Sequence, residues 1–214
     1  MKSGFFLIGI AFCVCSCSLN EEKTSYYSDS FGVVRLFDNG LQYVESDEGE
    51  ILVPSQSISS FVETGDRVWM SYTIEGENAK QDALTILPYR ITRIMPLELQ
   101  RETTLNNNGI DLWTVWIAQG FLTFDFQIMV KDPEKIKEHK YALVAPQREI
   151  VDTLFIDFMH DDGGDNYGML CRTAVTMKLN NLDIIQDSVM LAINYQNLSG
   201  IEQKEYRMYK KTQK

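Results

Sequence analysis

The chain has 214 residues, of which 44% are hydrophobic and 11% aromatic, and it carries a formal net charge of −10 at pH 7. This apolar content is enough for one sizeable core or two small ones, so the composition argues against an intrinsically disordered chain. The negative charge repels the phosphates of nucleic acids and anionic lipid headgroups, which argues against both as direct partners.

The first 16 residues have the pattern of a secretory signal peptide. A positive charge precedes an apolar run of about ten residues, 5–14, which is too short for a membrane span of roughly 20 residues. Ser16 is the small residue expected just before a cleavage site, so we predict that Cys17 begins the mature protein. Val14 and Ser16 before this cysteine resemble a bacterial lipobox, which implies acyl chains on the thiol and the freed amine of Cys17. Such chains would anchor the protein stably, and secretion with a free Cys17 thiol is the alternative.

A polar segment, 17–30, follows and is predicted to be a tether with no core to join. Glu21 and Glu22 resemble the acidic export tag that sends lipoproteins to the cell surface in Bacteroidetes. The expected location is therefore the cell envelope, as an outer-membrane lipoprotein exposed at the surface. A generic solvated linker is the alternative interpretation of the same residues.

Residues 31–100 are predicted to form a small five-stranded barrel of the OB type. Asn39-Gly40 indicates a tight hairpin, and Pro88 indicates a bulge or an edge within the last strand. The predicted strands are 31–37, 41–46, 50–53, 67–75 and 84–95. OB barrels often bind single-stranded nucleic acid through basic grooves, but acidic residues outnumber basic ones here. We therefore expect Trp69 to pack against other side chains rather than to stack on bases.

Residues 101–214 are predicted to form an antiparallel β-sandwich of about seven strands. The clearest strand, 122–130, alternates apolar residues with mostly polar ones at a period of two, and Pro133 indicates a short helical turn after it. The other predicted strands are 110–118, 141–145, 153–160, 167–179, 188–195 and 205–209. Cys171, the remaining thiol of the body, is expected to be buried among apolar residues.

Four segments carry a resemblance to a family. They are Gly65-Asp66-Arg67-Val68-Trp69-Met70-Ser71-Tyr72-Thr73-Ile74, Pro88-Tyr89-Arg90-Ile91-Thr92-Arg93-Ile94, Leu112-Trp113-Thr114-Val115-Trp116-Ile117 and Leu122-Thr123-Phe124-Asp125-Phe126-Gln127. With the lipoprotein signal and the hairpin, their order resembles the NigD-like lipoproteins of Bacteroidetes over nearly the whole mature chain. The resemblance implies an N-terminal OB domain, a C-terminal β-sandwich and a bacteriocin-immunity role, and it supplies no catalytic residues.

One loop places several oxygen ligands close together. Asp161, Asp162 and Asp165 lie within the 160–166 loop, and carboxylates of this kind suit Ca²⁺. The spacing misses the EF-hand pattern, so a solvated turn is favoured and no cofactor is expected. His139 and His160 could form a two-histidine site if the fold brought them together.

Two functions remain open at the level of the sequence. The first is a lipid-anchored, non-enzymatic binding or assembly module whose partner is an envelope protein or a glycan. The second is a glycan-active hydrolase or metal-dependent enzyme that uses carboxylates on sandwich loops. A sugar-binding function would be favoured if Trp69, Trp113 and Trp116 were exposed in a line on one face.

Overall fold

The computed structural model describes residues 27–58, 61–78, 82–145, 152–165, 167–182 and 187–210. These residues form an all-β structure with a closed barrel followed by two packed sheets, which confirms the predicted fold class. Within these ranges, none of the helices has the length and hydrophobicity needed to cross a membrane. The predicted signal peptide and Cys17 lie outside the described residues.

The barrel consists of five strands, as predicted. They are β1 (Tyr27–Leu36), β2 (Gln42–Ser46), β3 (Ile51–Pro54), β4 (Arg67–Asn78) and β5 (Ala83–Arg93). The barrel closes in the order β1-β2-β3-β5-β4, and only the β3–β5 pair is parallel. Gly40 has a φ of +80° in the β1–β2 turn, a conformation that suits glycine and agrees with the predicted hairpin.

The predicted interruption at Pro88 is a bulge. Ser71 of β4 pairs with Arg90, while the next residue, Tyr72, pairs with Pro88, so Tyr89 is the extra residue on β5. Because Pro88 has no N–H to donate to the ladder, the bulge is placed where the pairing can tolerate it. The bulge directs Tyr89 to the outside of the barrel, where its side chain is 54% exposed.

The first strand starts earlier than predicted. Residues 17–30 were expected to be a tether, but β1 begins at Tyr27 and pairs with β4 as far as Thr73. The physical reason is that the long β4 extends the antiparallel ladder beyond the apolar part of β1. Ser71 adds a side-chain hydrogen bond to the Asp29 carboxylate, so polar residues also hold this end of β1 in place.

The remaining strands form the sandwich. They are β6 (Met95–Leu97), β7 (Leu99–Gln100), β8 (Asp111–Ala118), β9 (Phe121–Val130), β10 (Lys140–Val144), β11 (Thr153–Asp161), β12 (Met169–Lys178), β13 (Ser188–Gln196) and β14 (Glu202–Lys210). One sheet has the order β14-β13-β11-β10-β7 and the other β6-β12-β9-β8. The sandwich was predicted to be antiparallel, but β11 and β13 pair in parallel. Two 3₁₀ helices, Pro133–Lys137 and Leu179–Asn181, complete the described elements, and the first agrees with the predicted turn.

The short strands β6 and β7 link the two halves of the chain. β6 runs parallel to β12 and β7 runs parallel to β10, so one passes into each sheet of the sandwich. A sequence pattern could not identify them because both are too short to show a period. The predicted domain boundary at residue 100 would separate them from the sheets they join, and we therefore propose a division near Ile94.

The sandwich core is dominated by aromatic side chains. Phe124 and Phe126 of β9 and Phe158 of β11 are at most 1% exposed, and the Phe158 ring contacts both of the others at centroid distances of 5.0 and 5.2 Å. Tyr141 packs beside them at 5.5 Å from Phe126. These contacts lie between the two sheets, so the alternating pattern of β9 corresponds to the buried face that it predicted.

A buried arginine joins the barrel to the sandwich. Arg67 of β4 is 2% exposed, and its two terminal nitrogens donate to the Asp47 carboxylate within the barrel. Its Nε donates to Thr123 Oγ1 of β9 at 3.2 Å, and Trp116 Nε1 of β8 donates to Asp47 Oδ2 at 2.7 Å. We call these four side chains the interdomain clamp. Because its donors and acceptors come from both halves, the clamp holds the barrel against the outer face of the β8–β9 pair.

Candidate binding site at the domain junction

The three tryptophans meet where the barrel contacts the sandwich. Trp69 lies on β4, and Trp113 and Trp116 lie on β8. The Arg172 guanidinium of β12 lies 4.5 Å from the Trp69 ring centroid and 4.6 Å from that of Trp113. Phe31 of β1 stacks on Trp69 at 5.6 Å and contacts the edge of Trp116 at 4.8 Å. A continuous group of rings therefore crosses the junction.

Arg172 is held in place by a buried carboxylate. Asp125 of β9 is 2% exposed and accepts from Arg172 Nε at 2.8 Å and Nη2 at 2.6 Å. The hydrogen bonds that Arg172 donates to Asp125 raise the pKa of Arg172 above its usual value; burial opposes this effect, and the negative charges of Asp125 and Asp29 add to it. A bidentate pair of this kind fixes the guanidinium plane, so the cation is presented between the two indole rings in one orientation.

The outer surface of the barrel extends the same group of side chains. Arg90 of β5 lies 5.5 Å from the Trp69 ring centroid, and Tyr27 contacts Tyr89 at 5.2 Å. Tyr89 also forms a hydrogen bond with Thr73 at 3.1 Å, which orients its ring. We define the junction face as the following residues: Tyr27, Phe31, Trp69, Tyr89, Arg90, Trp113 and Arg172.

The junction face is only partly exposed. Tyr27 is 74% exposed, Tyr89 54% and Trp113 51%, whereas Trp69 and Trp116 are half-buried. The faces of the Trp69 ring are covered by Phe31 and the arginines, so the tryptophans do not form a row of free stacking surfaces. This geometry does not match a sugar platform made of three exposed rings. It presents instead rigid aromatic edges beside fixed cations.

The carboxylates of the 160–166 loop accept hydrogen bonds from backbone amides. Asp161 Oδ1 accepts from the Gly163 amide at 3.0 Å, Asp162 Oδ1 from the Gly164 amide at 2.7 Å, and Asp165 Oδ1 from the Lys131 amide at 2.8 Å. The hydrogen bond from Gly163 lowers the pKa of Asp161 below its usual value. In the part of the chain that the structure describes, no three His, Cys, Asp or Glu side chains converge on a position for a metal ion. Asn166 lies outside the described residues.

The two histidines do meet in space. His139 Nδ1 and His160 Nε2 are 2.9 Å apart, and both residues are only 2% exposed. A hydrogen bond at this distance requires one nitrogen to carry a proton and the other to offer a lone pair. Burial, together with the neighbouring His139, lowers the pKa of His160 to about 4, against smaller opposing effects of Asp162 and backbone carbonyl groups. His139 Nε2 also lies 3.7 Å from Asp165 Oδ2.

This histidine pair belongs to the interior of the sandwich. The Tyr141 ring lies nearly parallel to the His160 ring at 5.3 Å, and burial raises the pKa of Tyr141. Both histidine residues are only 2% exposed, although His160 also lines a groove of about 390 Å³ together with Asn108 and with Asp162 of the 160–165 loop. The pair is best described as a buried contact that ties this loop to β10 and β11.

Cys171 is less buried than predicted. It is half-buried on β12 and packs against the edge of the sandwich core as a free thiol. It faces this partly open position because it pairs with Ile128 towards the end of the β9–β12 ladder, where residues of β12 become exposed.

Sequence reasoning did not identify Arg172, Asp125 or the clamp. The alternation of β9 already placed Asp125 among the polar positions of a strand with one buried face. A carboxylate at that position could therefore have suggested a charged partner on a neighbouring strand. It could not have indicated that the partner lies 47 residues later on β12, because that pairing depends on the sheet order.

Comparison with known proteins shows a family and several solved structures that this chain resembles. Residues 93–209 match the family model of the NigD-like C-terminal beta sandwich domain. The solved structure of a NigD-like immunity protein from Bacteroides caccae is similar, with a TM-score of 0.67, 18% identity and coverage of 86% of this chain and 96% of that one. A candidate lipoprotein from Bacteroides fragilis has a TM-score of 0.66 at 12% identity, covering 88% and 100%.

A protein of unknown function from Bacteroides vulgatus is also similar, with a TM-score of 0.65, 16% identity and coverage of 86% of this chain and 91% of that one. At these identities the similarity to solved structures concerns the fold. Comparison with curated protein sequences gives no match.

Proposed function

Because the chain belongs to the NigD-like family, we propose that it is a lipid-anchored, non-enzymatic protein of the cell envelope that binds a partner protein through the junction face. The similar protein from B. caccae is called an immunity protein and the one from B. fragilis a candidate lipoprotein, which supports an envelope location and a binding role.

The composition and rigidity of the junction face carry the proposal. Trp, Tyr and Arg are the residue types that most often dominate the energy of protein interfaces. Trp113 and Tyr89 expose half of their surface, while Asp125 and Thr73 fix the side chains around them. Preorganised rings and guanidinium groups lose little conformational entropy on binding, so a face of this kind suits a protein partner.

The anchor would hold the junction face near the membrane. The proposed lipid site, Cys17, is separated from Tyr27 by about ten residues, which span at most about 35 Å when fully extended. Tyr27 is both the first residue of β1 and part of the junction face. A partner on this face would therefore lie within a few nanometres of the bilayer, and Glu21 and Glu22 would direct the complex to the cell surface.

The anchor is tested by metabolic labelling with palmitate in a Bacteroidetes host. We expect the wild-type protein to be labelled and to fractionate with the outer membrane, and Cys17→Ser to lose both properties because it has no thiol to acylate. Protease treatment of intact cells then distinguishes surface exposure from a periplasmic orientation. Equal labelling of both proteins would refute lipidation at Cys17.

The binding role is tested by crosslinking in intact cells, followed by purification and mass spectrometry. We expect a crosslinked protein that is recovered with the wild type and lost with Trp113→Ala and Tyr89→Ala, because both substitutions remove exposed rings from the junction face. Tyr167→Ala is a matched control, since Tyr167 is also 54% exposed but lies beside Lys131 of the sandwich. Equal recovery from all four proteins, or no specific crosslink from the wild type, would contradict the proposal.

A further inference from the structure

A second surface lies on the other side of the sandwich. The barrel contacts the sheet that contains β9, through Arg67 and Thr123. In the five-stranded sheet, Ile156 of β11 and Ile193 of β13 are fully buried in the core. Because side chains alternate along a strand, their neighbours in sequence point away from the core, on the face of the sandwich opposite to the barrel.

Two rows of side chains cross this outer face. In the first row, Phe155 of β11, Ala192 of β13 and Tyr206 of β14 are aligned by the strand pairing. Phe155 is 47% exposed and Tyr206 55%, whereas Ala192 is fully buried between them. The two rings therefore lie on either side of Ala192. Their strands are about 10 Å apart, which is twice the spacing between adjacent strands.

The second row is polar and directly follows the aromatic one. Asp157, Asn194 and Lys204 are paired across the same three strands. Asn194 Nδ2 donates to Asp157 Oδ1 at 2.7 Å, and Lys204 Nζ lies 5.9 Å from the centroid of the Phe155 ring. These contacts connect the two rows and orient the polar groups beside the exposed ring.

The polar row lines a groove of about 470 Å³, to which Asn107, Met159 and Glu202 also contribute. This volume lies within the range of about 300–1,000 Å³ that is usual for small-ligand sites. We propose that the groove, together with the rings of Phe155 and Tyr206, binds a neutral saccharide.

The chemistry of the groove suits a sugar in three ways. An aromatic ring carries negative charge density on its face, which attracts the weakly positive C–H groups of a pyranose. The carboxylate accepts, the ammonium donates, and the amides of Asn194 and Asn107 do both, which matches hydroxyl groups that donate and accept. Asp157 and Glu202 oppose the single charge of Lys204, so the groove does not favour an anionic ligand.

The site is independent of the junction face, so the two proposals can fail separately. The test uses the mature lipoprotein purified from its envelope in mild detergent. Calorimetric titrations with three soluble neutral polysaccharides, a β-glucan, a mannan and a xylan, measure binding directly. We expect at least one of them to bind, and Phe155→Ala and Asn194→Ala each to weaken that binding at least tenfold.

Two further variants distinguish the loss of a proposed ligand contact from a loss of folding. Phe155→Trp keeps a flat ring and should retain binding within about threefold, while Tyr167→Ala removes an exposed ring outside the groove and should leave binding unchanged. Thermal unfolding of each variant shows whether it is folded. Absence of binding to all three polysaccharides, or equal binding by folded Phe155→Ala, would overturn the proposal. Loss of a crosslinked protein from Phe155→Ala would instead identify the surface as a protein contact and also refute it.

Discussion

Replacing Arg67 with methionine is the sharpest test of how the two halves are joined. The substitution removes the guanidinium but keeps an apolar chain of similar length, so it leaves Asp47 enclosed without its cation, with the Trp116 N–H still donating to it. The side chains of Arg67 and Asp47 are 1% and 10% exposed. Removing one partner from a buried ion pair costs about 3–5 kcal/mol, because the other charge stays buried without compensation.

This loss is large compared with the stability of a whole domain, which is typically about 5–15 kcal/mol. We expect Arg67→Met to lower the free energy of the transition in which the junction unfolds, followed by tryptophan fluorescence, by about 3–5 kcal/mol in urea at pH 7. Tryptophan fluorescence reports on the junction and far-ultraviolet circular dichroism on all strands. Their transitions should coincide in the wild type and separate in the variant, because the clamp couples the barrel to the sandwich.

A matched control uses an ion pair on the barrel surface. Arg35 and Glu45 are 3.0 Å apart, with side chains 37% and 34% exposed. Arg35→Met should cost less than about 1 kcal/mol, because solvent screens an exposed pair. Equal losses for Arg67→Met and Arg35→Met, or coincident transitions in the Arg67 variant, would refute the role of the clamp.

Three further predictions concern the sandwich. Because the pKa of His160 is lowered from 6.5 to about 4 on folding, this residue alone should lower the free energy of unfolding by about 3 kcal/mol between pH 7 and pH 4. His160→Gln should remove this contribution to the pH dependence of the free energy of unfolding in urea. An unchanged pH dependence would contradict the lowered pKa of His160. Phe158→Ala should cost about 3–5 kcal/mol in thermal unfolding by opening a cavity, and a loss below about 1 kcal/mol would contradict the described core. Gly168→Ala should cost at least about 1–3 kcal/mol, since φ is +125° and the new Cβ would lie 2.4 Å from the Val130 carbonyl oxygen. Gly200→Ala, with open space at its Cβ, is the control and should cost less by the same measurement.

Regular strands were the most predictable part of this fold. The alternation in 122–130 identified both the extent of β9 and its buried face, because neighbouring side chains of a strand point to opposite sides. The Asn39-Gly40 hairpin and the bulge beside Pro88 followed from local restrictions on φ and on hydrogen-bond donation. The family resemblance extended these local features to a two-part architecture, of which the NigD-like family model covers the sandwich, residues 93–209.

The sites were much less predictable. The sequence placed His139 and His160 beside loops, and only the pairing of β10 with β11 brings their imidazoles to 2.9 Å. It named the Asp161, Asp162 and Asp165 cluster and favoured a solvated turn there, and in the structure these carboxylates accept from the backbone amides of Gly163, Gly164 and Lys131.

The sequence by itself therefore determined the longer strands, the turns and the two-part all-β class, since the strands and turns depend on residues that are close along the chain. The tertiary structure decided the partners of Arg67 and Arg172, the meeting of the three tryptophans and the alignment of Phe155 with Tyr206. These features join strands that lie far apart in the chain. Their geometry depends on sheet order and on the packing of the barrel against the sandwich, which no local period encodes.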